Sequence, residues 1–283
     1  MKLIESSAEY IPQEEGLQGI YKQIERAGRI CYKSEDKITD DSAEKFVERM
    51  ISSEHLAMLE HGTVYLKIPT EQSLTFSLFK ENPYTRLHLC VFPEFENYFY
   101  VTTNLRVLYP GWMHYFHNYR VDYIEYKHDK RYTFKLVTSI GIVRELLRHR
   151  VFSFANESTR YCNYSKDKFD NGITFIKPYW YDEKCNVIIH DSTFDDWRVG
   201  DEFLGFLAGA EDTYKTLINK GITAQQAREV LPLCTKSELI MTGFKSDWDH
   251  FFDLRLYGKT GEPHPDMKIL AQKIKDEFDK YNL

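Results

Sequence analysis

Arg148, His149 and Arg150 stand in a row, and after seven intervening residues come Ser158 and Arg160. Guanidinium groups recognise phosphate in a planar, bidentate way, and a serine hydroxyl adds a neutral donor, so these residue types suit an anion. Val143, Leu146, Leu147 and Val151 recur at helical spacing, which predicts an amphipathic helix presenting the three basic residues. Three consecutive residues spread over most of a helix circumference and cannot all share one face. Ser158 and Arg160 alternate with Thr159 and Tyr161, which predicts an extended segment with hydroxyl and guanidinium on one side. The plainer alternative is a basic helix end, favoured by the macrodipole without any ligand. The residues by themselves leave both readings open.

The elements that must hold this block alternate between short strands and longer helices. Lys2–Ala8 reads as a strand or arm, and Gly16–Ala27 as a helix stopped near Gly28. Asp41 is placed to cap a helix over Ser42–Ser53, whose apolar stripe is Phe46, Val47, Met50 and Ile51. Strands are predicted at Thr63–Ile68, Arg131–Ser139, Ile173–Ile176 and Ser237–Thr242, and a hairpin within Asn97–Leu108. A long helix is expected from Thr193 to Lys220, ended by Gly221. Thr223 and Gln226 form a capping-box pair opening a helix that carries Arg228 and stops at Pro232. A further helix over Gly243–Arg255 has Ser246 as its expected cap, and Met267, Leu270, Ile274 and Phe278 line a last one. His114 and His117 are spaced as two metal ligands could be, but no third ligand is evident, so packing is the expected role and no metal site is assigned.

Composition narrows the classes. The 283 residues can bury a sizeable core, and 42% hydrophobic with 28% charged content is ordinary for a globular protein. A net charge of −6 argues against a general nucleic-acid binder, so any anion site is local. The 15% aromatic share permits stacking on planar ligands. Five cysteines without a C-x-x-C pair, no apolar signal region and no membrane-length apolar run lead to the expectation of a cytoplasmic protein with reduced thiols. There is no G-x-G-x-x-G, so no Rossmann nucleotide site is expected.

The Arg-His-Arg word with its fixed-offset serine and Arg160 resembles the signature of the flavin-dependent thymidylate synthases. Three other blocks are similar to that family in order: His55 with Glu60-His61, Gln226-Ala227-Arg228 through Leu231-Pro232, and the segment ending Leu254-Arg255. A weaker likeness covers Arg29-Ile30-Cys31-Tyr32. The resemblance implies an α+β fold, a mixed or antiparallel sheet packed with long helices, as a single domain over 1–283 with a family-variable insertion at about 70–130. It implies reductive methylation of dUMP to dTMP, with methylenetetrahydrofolate as carbon donor and FAD reduced by NADPH or NADH. It also implies a homo-oligomer, a tetramer with active sites between subunits, and neither nucleic acid nor membrane as partner.

By the same resemblance Arg255 is the catalytic residue, stabilising charge on the uracil ring without a covalent protein nucleophile. The dUMP contacts are Glu145, Arg148, Asn156, Ser158, Thr159, Arg160, Arg228 and Arg255. The FAD contacts are His55, Glu60, Arg148, His149, Arg150, Asn156 and His250. The chain departs from the family pattern at Ala57, Glu145, Asn156, Phe244 and Ser246, which leaves the nucleotide half better matched than the flavin half. Two competing readings are a non-catalytic RNA- or nucleotide-binding module using the 148–160 block, and a nucleotide hydrolase working through His149 and Glu157.

Overall fold

Residues 236–244 read Lys-Ser-Glu-Leu-Ile-Met-Thr-Gly-Phe, apolar enough for a strand covered on both faces. The computed structural model, which describes residues 1–72, 75–91, 97–169, 171–189 and 197–283, forms that strand at the centre of the fold. In chain order the strands are β1 (Lys2–Ile4), β2 (Ser7–Tyr10), β3 (Thr63–Pro69), β4 (Arg86–Cys90), β5 (Tyr98–Asn104), β6 (Arg120–Val121), β7 (Arg131–Ser139), β8 (Ser153–Asn156), β9 (Thr174–Ile176), β10 (Ile188–Ile189), β11 (Trp197–Arg198) and β12 (Lys236–Phe244). The helices are α1 (Gly16–Tyr32), α2 (Ser42–Ser52), α3 (Thr75–Lys80), α4 (Ile140–Leu146), α5 (Tyr181–Lys184), α6 (Val199–Asn219), α7 (Ala224–Ala227), α8 (Lys245–Arg255) and α9 (Pro265–Tyr281).

One four-stranded sheet runs β2-β7-β12-β8 and a second β4-β5-β3-β6, with every neighbouring pair in both antiparallel, beside the two-stranded pairs β1-β9 and β10-β11. Strand alternation sends Leu239 and Met241 to one face of the first sheet, onto Trp248, Phe251, Leu270, Ile274 and Phe278 of α8 and α9. Ile240 and Ala155 face the other way, onto Ala27 and Ile30 of α1. The second sheet packs Val64, Leu66, Ile68 and Val101 against α1, α2 and α3. The class is α+β with antiparallel sheets and long helices, as expected.

Several local expectations are corrected. The N-terminal arm is two strands, β1 parallel to β9 and β2 antiparallel to β7. Gly28 does not stop α1; a Cβ there would lie 2.5 Å from the Phe46 ring, so the glycine lets α2 approach, and the helix ends with Lys33 at φ 47°. Asp41 makes no side-chain cap bond; Ser42 Oγ instead accepts from Thr39 N at 2.9 Å. Residues 97–108 are no self-contained hairpin, because β5 lies between β3 and β4. Ser246 is not the cap of α8, where Asp247 Oδ2 accepts from Phe244 N at 3.0 Å. The expected start of the long helix at Thr193 lies outside the described residues, and α6 is followed from Val199. The Thr223–Gln226 capping box is present, although α7 is one turn and Arg228 opens a short 3-10 segment.

Candidate functional site

α4 is capped by Ser139 Oγ, which accepts from Ile142 N at 3.2 Å, and is anchored by buried Ile142, Val143 and Leu146. It stops there. Arg148, His149 and Arg150 lie in the turn beyond it rather than on the helix, because Val151-Phe152-Ser153-Phe154 is strand-forming sequence and buried Phe152 draws the chain onto the sheet. Phe152 packs edge-on against Trp248, ring centroids 4.7 Å apart. The turn leaves Arg148 and Arg150 exposed, with no side-chain partner among the described residues, while His149 tucks against Phe251 at 5.2 Å.

α8 brings its last residue to the same place. Arg255 Nε donates to His149 Nε2 at 2.9 Å, and Arg255 Nη1 to Glu145 Oε2 at 3.2 Å. Burial, then Arg255, then His250 push the His149 pKa down to about 4, so its imidazole is neutral near pH 7 and accepts the Arg255 proton. A guanidinium carries five N–H groups; two are used here, leaving three for a ligand. His250 itself is exposed on α8.

The second group is a turn, not the extended segment expected. Tyr161 N and Cys162 N both donate to Ser158 O, and Arg160 N donates to Ser158 Oγ at 3.3 Å. Serine and threonine compete for local backbone donors, which favours such turns. Ser158 N donates to Cys31 O at 3.1 Å and Glu157 N to Glu238 O at 2.7 Å, so α1 and β12 hold the turn in place. Arg160 Nε donates to Gln225 Oε1 at 3.2 Å, and Arg228 Nη1 to Thr159 Oγ1 at 3.5 Å. Asn156 Oδ1 accepts from Ser237 Oγ at 3.0 Å. Ser158, Thr159, Arg160 and Arg228 thus come together, as do Glu145, His149 and Arg255, but no hydrogen bond or ion pair among the described residues links the two groups.

Sequence reasoning missed the charges under the turn. Glu157, with its side chain fully buried, meets Lys236 Nζ at 3.0 Å, and Glu238 meets Lys33 and Lys236 at 2.7 Å and Lys135 at 3.0 Å. Lys236 and Glu238 sit two apart on one strand, a spacing that was readable as a shared face. Glu157 is directed to Lys236 rather than to His149, so the pair needed for the hydrolase reading is not assembled. Burial raises the Cys31 and Cys234 thiols to about 11, and both stay protonated at neutral pH, making them poor nucleophiles.

His55 is exposed on the wall of an 870 Å³ cavity that also takes in Arg29, Tyr32, Phe46 and Arg49. Tyr32 packs at a tilt against Tyr161, ring centroids 5.1 Å apart, which places this cavity beside the serine turn. Its size and the rings of Tyr32, Phe46 and Phe169 fit a planar cofactor, and Arg49 offers a guanidinium to its phosphates, whereas Arg29 is taken up by Glu25. Glu60 is elsewhere, ion-paired to Arg106 of the 70–130 stretch and lining a separate cavity. His114 and His117 pack at a tilt, ring centroids 5.1 Å apart, and no group of three metal-binding side chains occurs among the described residues. Among those residues no helix is long and apolar enough to cross a membrane.

A family model described as thymidylate synthase complementing protein matches residues 129–281, more than half of the chain. The match spans both residue groups but not His55 or Glu60. The chain is 32% identical over 146 residues to a probable flavin-dependent thymidylate synthase of Paramecium bursaria Chlorella virus 1, covering 50% of this chain and 64% of that one. It is 27% identical over 148 residues to a flavin-dependent thymidylate synthase of Synechocystis sp., with the same coverage of 50% and 64%. The chain therefore spans a little under two thirds of the length of these relatives. Among solved structures, a UMP/dUMP methylase PolB from Streptomyces cacaoi bound with 5-Br dUMP aligns over 99% of this chain and 93% of that one, at 17% identity and a TM-score of 0.46.

Proposed function

The chain belongs to the thymidylate synthase complementing protein family, and from that premise we propose that it methylates dUMP reductively to dTMP. Methylenetetrahydrofolate is the carbon donor, and FAD reduced by NADPH or NADH the hydride source. The observation that carries this reading is the Arg255 guanidinium, held by His149 and Glu145 with three N–H groups to spare.

The uracil ring becomes a carbon nucleophile at C5 only if negative charge can develop on N3 and its carbonyl oxygens. A guanidinium already fixed in place stabilises that charge without reorganising, the logic of an oxyanion hole. Neutral His149 and anionic Glu145 hold Arg255 at two different nitrogens, which sets the plane of the fork. Ser158, Arg160 and Arg228 hold the substrate phosphate, with Thr159, Asn156 and Arg148 around the nucleotide. Ser158 has no base in hydrogen-bond contact among the described residues, and its Oγ accepts from Arg160 N, so it binds rather than attacks.

His55, on the wall of the larger cavity, together with Arg148, His149, Arg150, Asn156 and His250, would hold the flavin, while Glu60, paired to Arg106 at a separate cavity, stands apart from them. Bound there, the flavin supplies the hydride. The active unit in this reading is one domain assembled as a homotetramer with sites between subunits. The separation of the two residue groups within one chain supports this, as does the open space that Gly205 and Gly209 leave on α6 beside Phe206, 61% exposed. The test is an absorbance spectrum of the purified protein with FAD, followed by tritium release from labelled dUMP. A flavin spectrum that bleaches with NADPH or NADH and tritium release dependent on the folate are expected. Colourless protein without saturable flavin binding would overturn the assignment and favour a non-catalytic nucleotide-binding module.

A further inference from the structure

Arg86 opens β4 inside the 70–130 stretch, yet its guanidinium reaches α8. Its Nη2 donates to Asp247 Oδ1 at 3.1 Å, while Nη1 donates to Pro83 O and Thr85 O at 3.2 and 3.1 Å. The same group lies over the Phe244 ring, 4.4 Å from the centroid. Asp247 uses its other oxygen to cap α8, accepting from Phe244 N at 3.0 Å. Its side chain is 9% exposed, and Arg86 is its one ion-pair partner among the described residues. Arg86 falls outside the segment 129–281 that the family model matches, and Asp247 inside it.

The far end of α8 is Arg255, seated on His149 and Glu145. Between the two ends Trp248, Phe251 and Phe252 are buried, and such apolar contact holds the helix down without giving it a direction. The Arg86 fork is planar and fixed on three acceptors, so it sets the tilt of α8 where the helix begins. Eleven residues make a lever of about 16 Å, and a tilt of about 4° moves its far end by about 1 Å. A misplacement of about 1 Å at a catalytic group costs on the order of 10² in rate. We propose that Arg86 is a positioning residue for Arg255, contributed by the 70–130 stretch and acting through Asp247 and the tilt of α8. Its effect on turnover rests on the dUMP reading above; its effect on the Arg255–His149 contact does not.

The test follows the His149 ring by NMR titration in the full chain, beside kcat for dTMP formation and equilibrium dUMP binding. Burial, Arg255 and His250 hold the His149 midpoint at about 4. In Arg86→Ala it is expected to rise by about half a unit or more as Arg255 draws away. Turnover is expected to fall about tenfold to a hundredfold, with dUMP affinity changing much less. Asp247→Asn keeps an oxygen for Phe244 N but drops the charge that holds Arg86, and is expected to give the same shift. The double variant should add nothing further, because both changes break one contact. Arg86→Lys, which keeps a charge for Asp247, is expected to recover part of the shift; it and Asp247→Asn supply the same readouts if Arg86→Ala does not fold. A folded Arg86→Ala protein that loses stability but keeps the wild-type His149 midpoint overturns the proposal, as do strictly additive shifts in the double variant. A His149 midpoint that moves while turnover stays unaltered supports the positioning and overturns the role given to Arg255 in the chemistry, so the two readings fail separately.

Discussion

Arg255 Nε lies 2.9 Å from His149 Nε2, a contact that works only while that nitrogen is unprotonated. Burial, Arg255 and His250 place the His149 pKa at about 4, below its ordinary 6.5. The folded state therefore favours the neutral ring. The resulting stability is fully present above about pH 6.5 and is lost as pH falls towards 4. Ring resonances of His149 followed by NMR are expected not to move between pH 8 and 5.5; a midpoint near 6.5 would show that the contact is not made in solution.

Lysine cannot reproduce the fork that Arg255 makes with His149 and Glu145, because an ammonium is a point charge without planar geometry. Arg255→Lys is expected to lower kcat for dTMP formation by about 10²–10³. dUMP affinity should fall much less if the phosphate is held by the other group. Steady-state kinetics beside equilibrium dUMP binding separates the two, and an unchanged kcat would remove Arg255 from the chemistry.

Much of this frame was legible locally, and the failures share a cause. Thr223 with Gln226 announced a capping box, and Met267, Leu270, Ile274 and Phe278 a buried helix stripe, because both are short-range patterns. Arg255 is 106 residues from His149 and 110 from Glu145, so no periodicity could join them, and only the family likeness named Arg255. Gly28 looked like a stop because its reason for being glycine, the Phe46 ring, belongs to another helix. The Ser158–Arg160 alternation looked extended because the hydroxyl's bond to the Arg160 backbone outweighs a two-residue pattern.

Arg228 reaches the serine turn through Thr159, and Arg160 of that turn reaches back to Gln225 on α7. If they hold phosphate, Arg228→Ala removes a charge-assisted contact of about 1.5–3 kcal/mol, roughly tenfold to over a hundredfold in dUMP affinity. Deoxyuridine, which lacks the phosphate, should bind wild type and variant alike. Calorimetry with both ligands decides it: an equal loss for nucleoside and nucleotide would place Arg228 at the base or in the scaffold.

Gly243 sits in β12 where a Cβ would come 2.4 Å from the Phe152 ring, just after the Arg-His-Arg turn. Gly243→Ala is expected to destabilise by about 1–3 kcal/mol through overpacking. Adding Phe152→Leu should return part of that loss, because the clash is with the ring. Urea unfolding of the single and double variants measures the coupling, and strictly additive losses would mean that the strand shifts instead.

Glu238 is the hub beneath the serine turn, within 3.0 Å of Lys33, Lys135 and Lys236. Burial pushes its pKa up, but Lys236 and Lys33 overcome that and hold it at about 2, below the ordinary 4.5. Its contribution is therefore present above about pH 4.5 and lost as pH falls towards 2. Glu238→Gln leaves Lys135 facing a neutral amide, while Lys236 keeps Glu157 and Lys33 keeps Glu35, so a loss of about 1.5–3 kcal/mol is expected. Chemical denaturation at pH 7 should show that loss, and the gap to wild type should narrow below pH 4.5, as the carboxylate of the unfolded chain takes up a proton, and close near pH 2, where the native one does. The same backbone carries Glu238 O to Glu157 N, one residue before Ser158, so a variant that still folds should bind dUMP more weakly. A folded Glu238→Gln protein with unaltered dUMP affinity would show that the turn is held by its own hydrogen bonds and that the lysines serve stability alone.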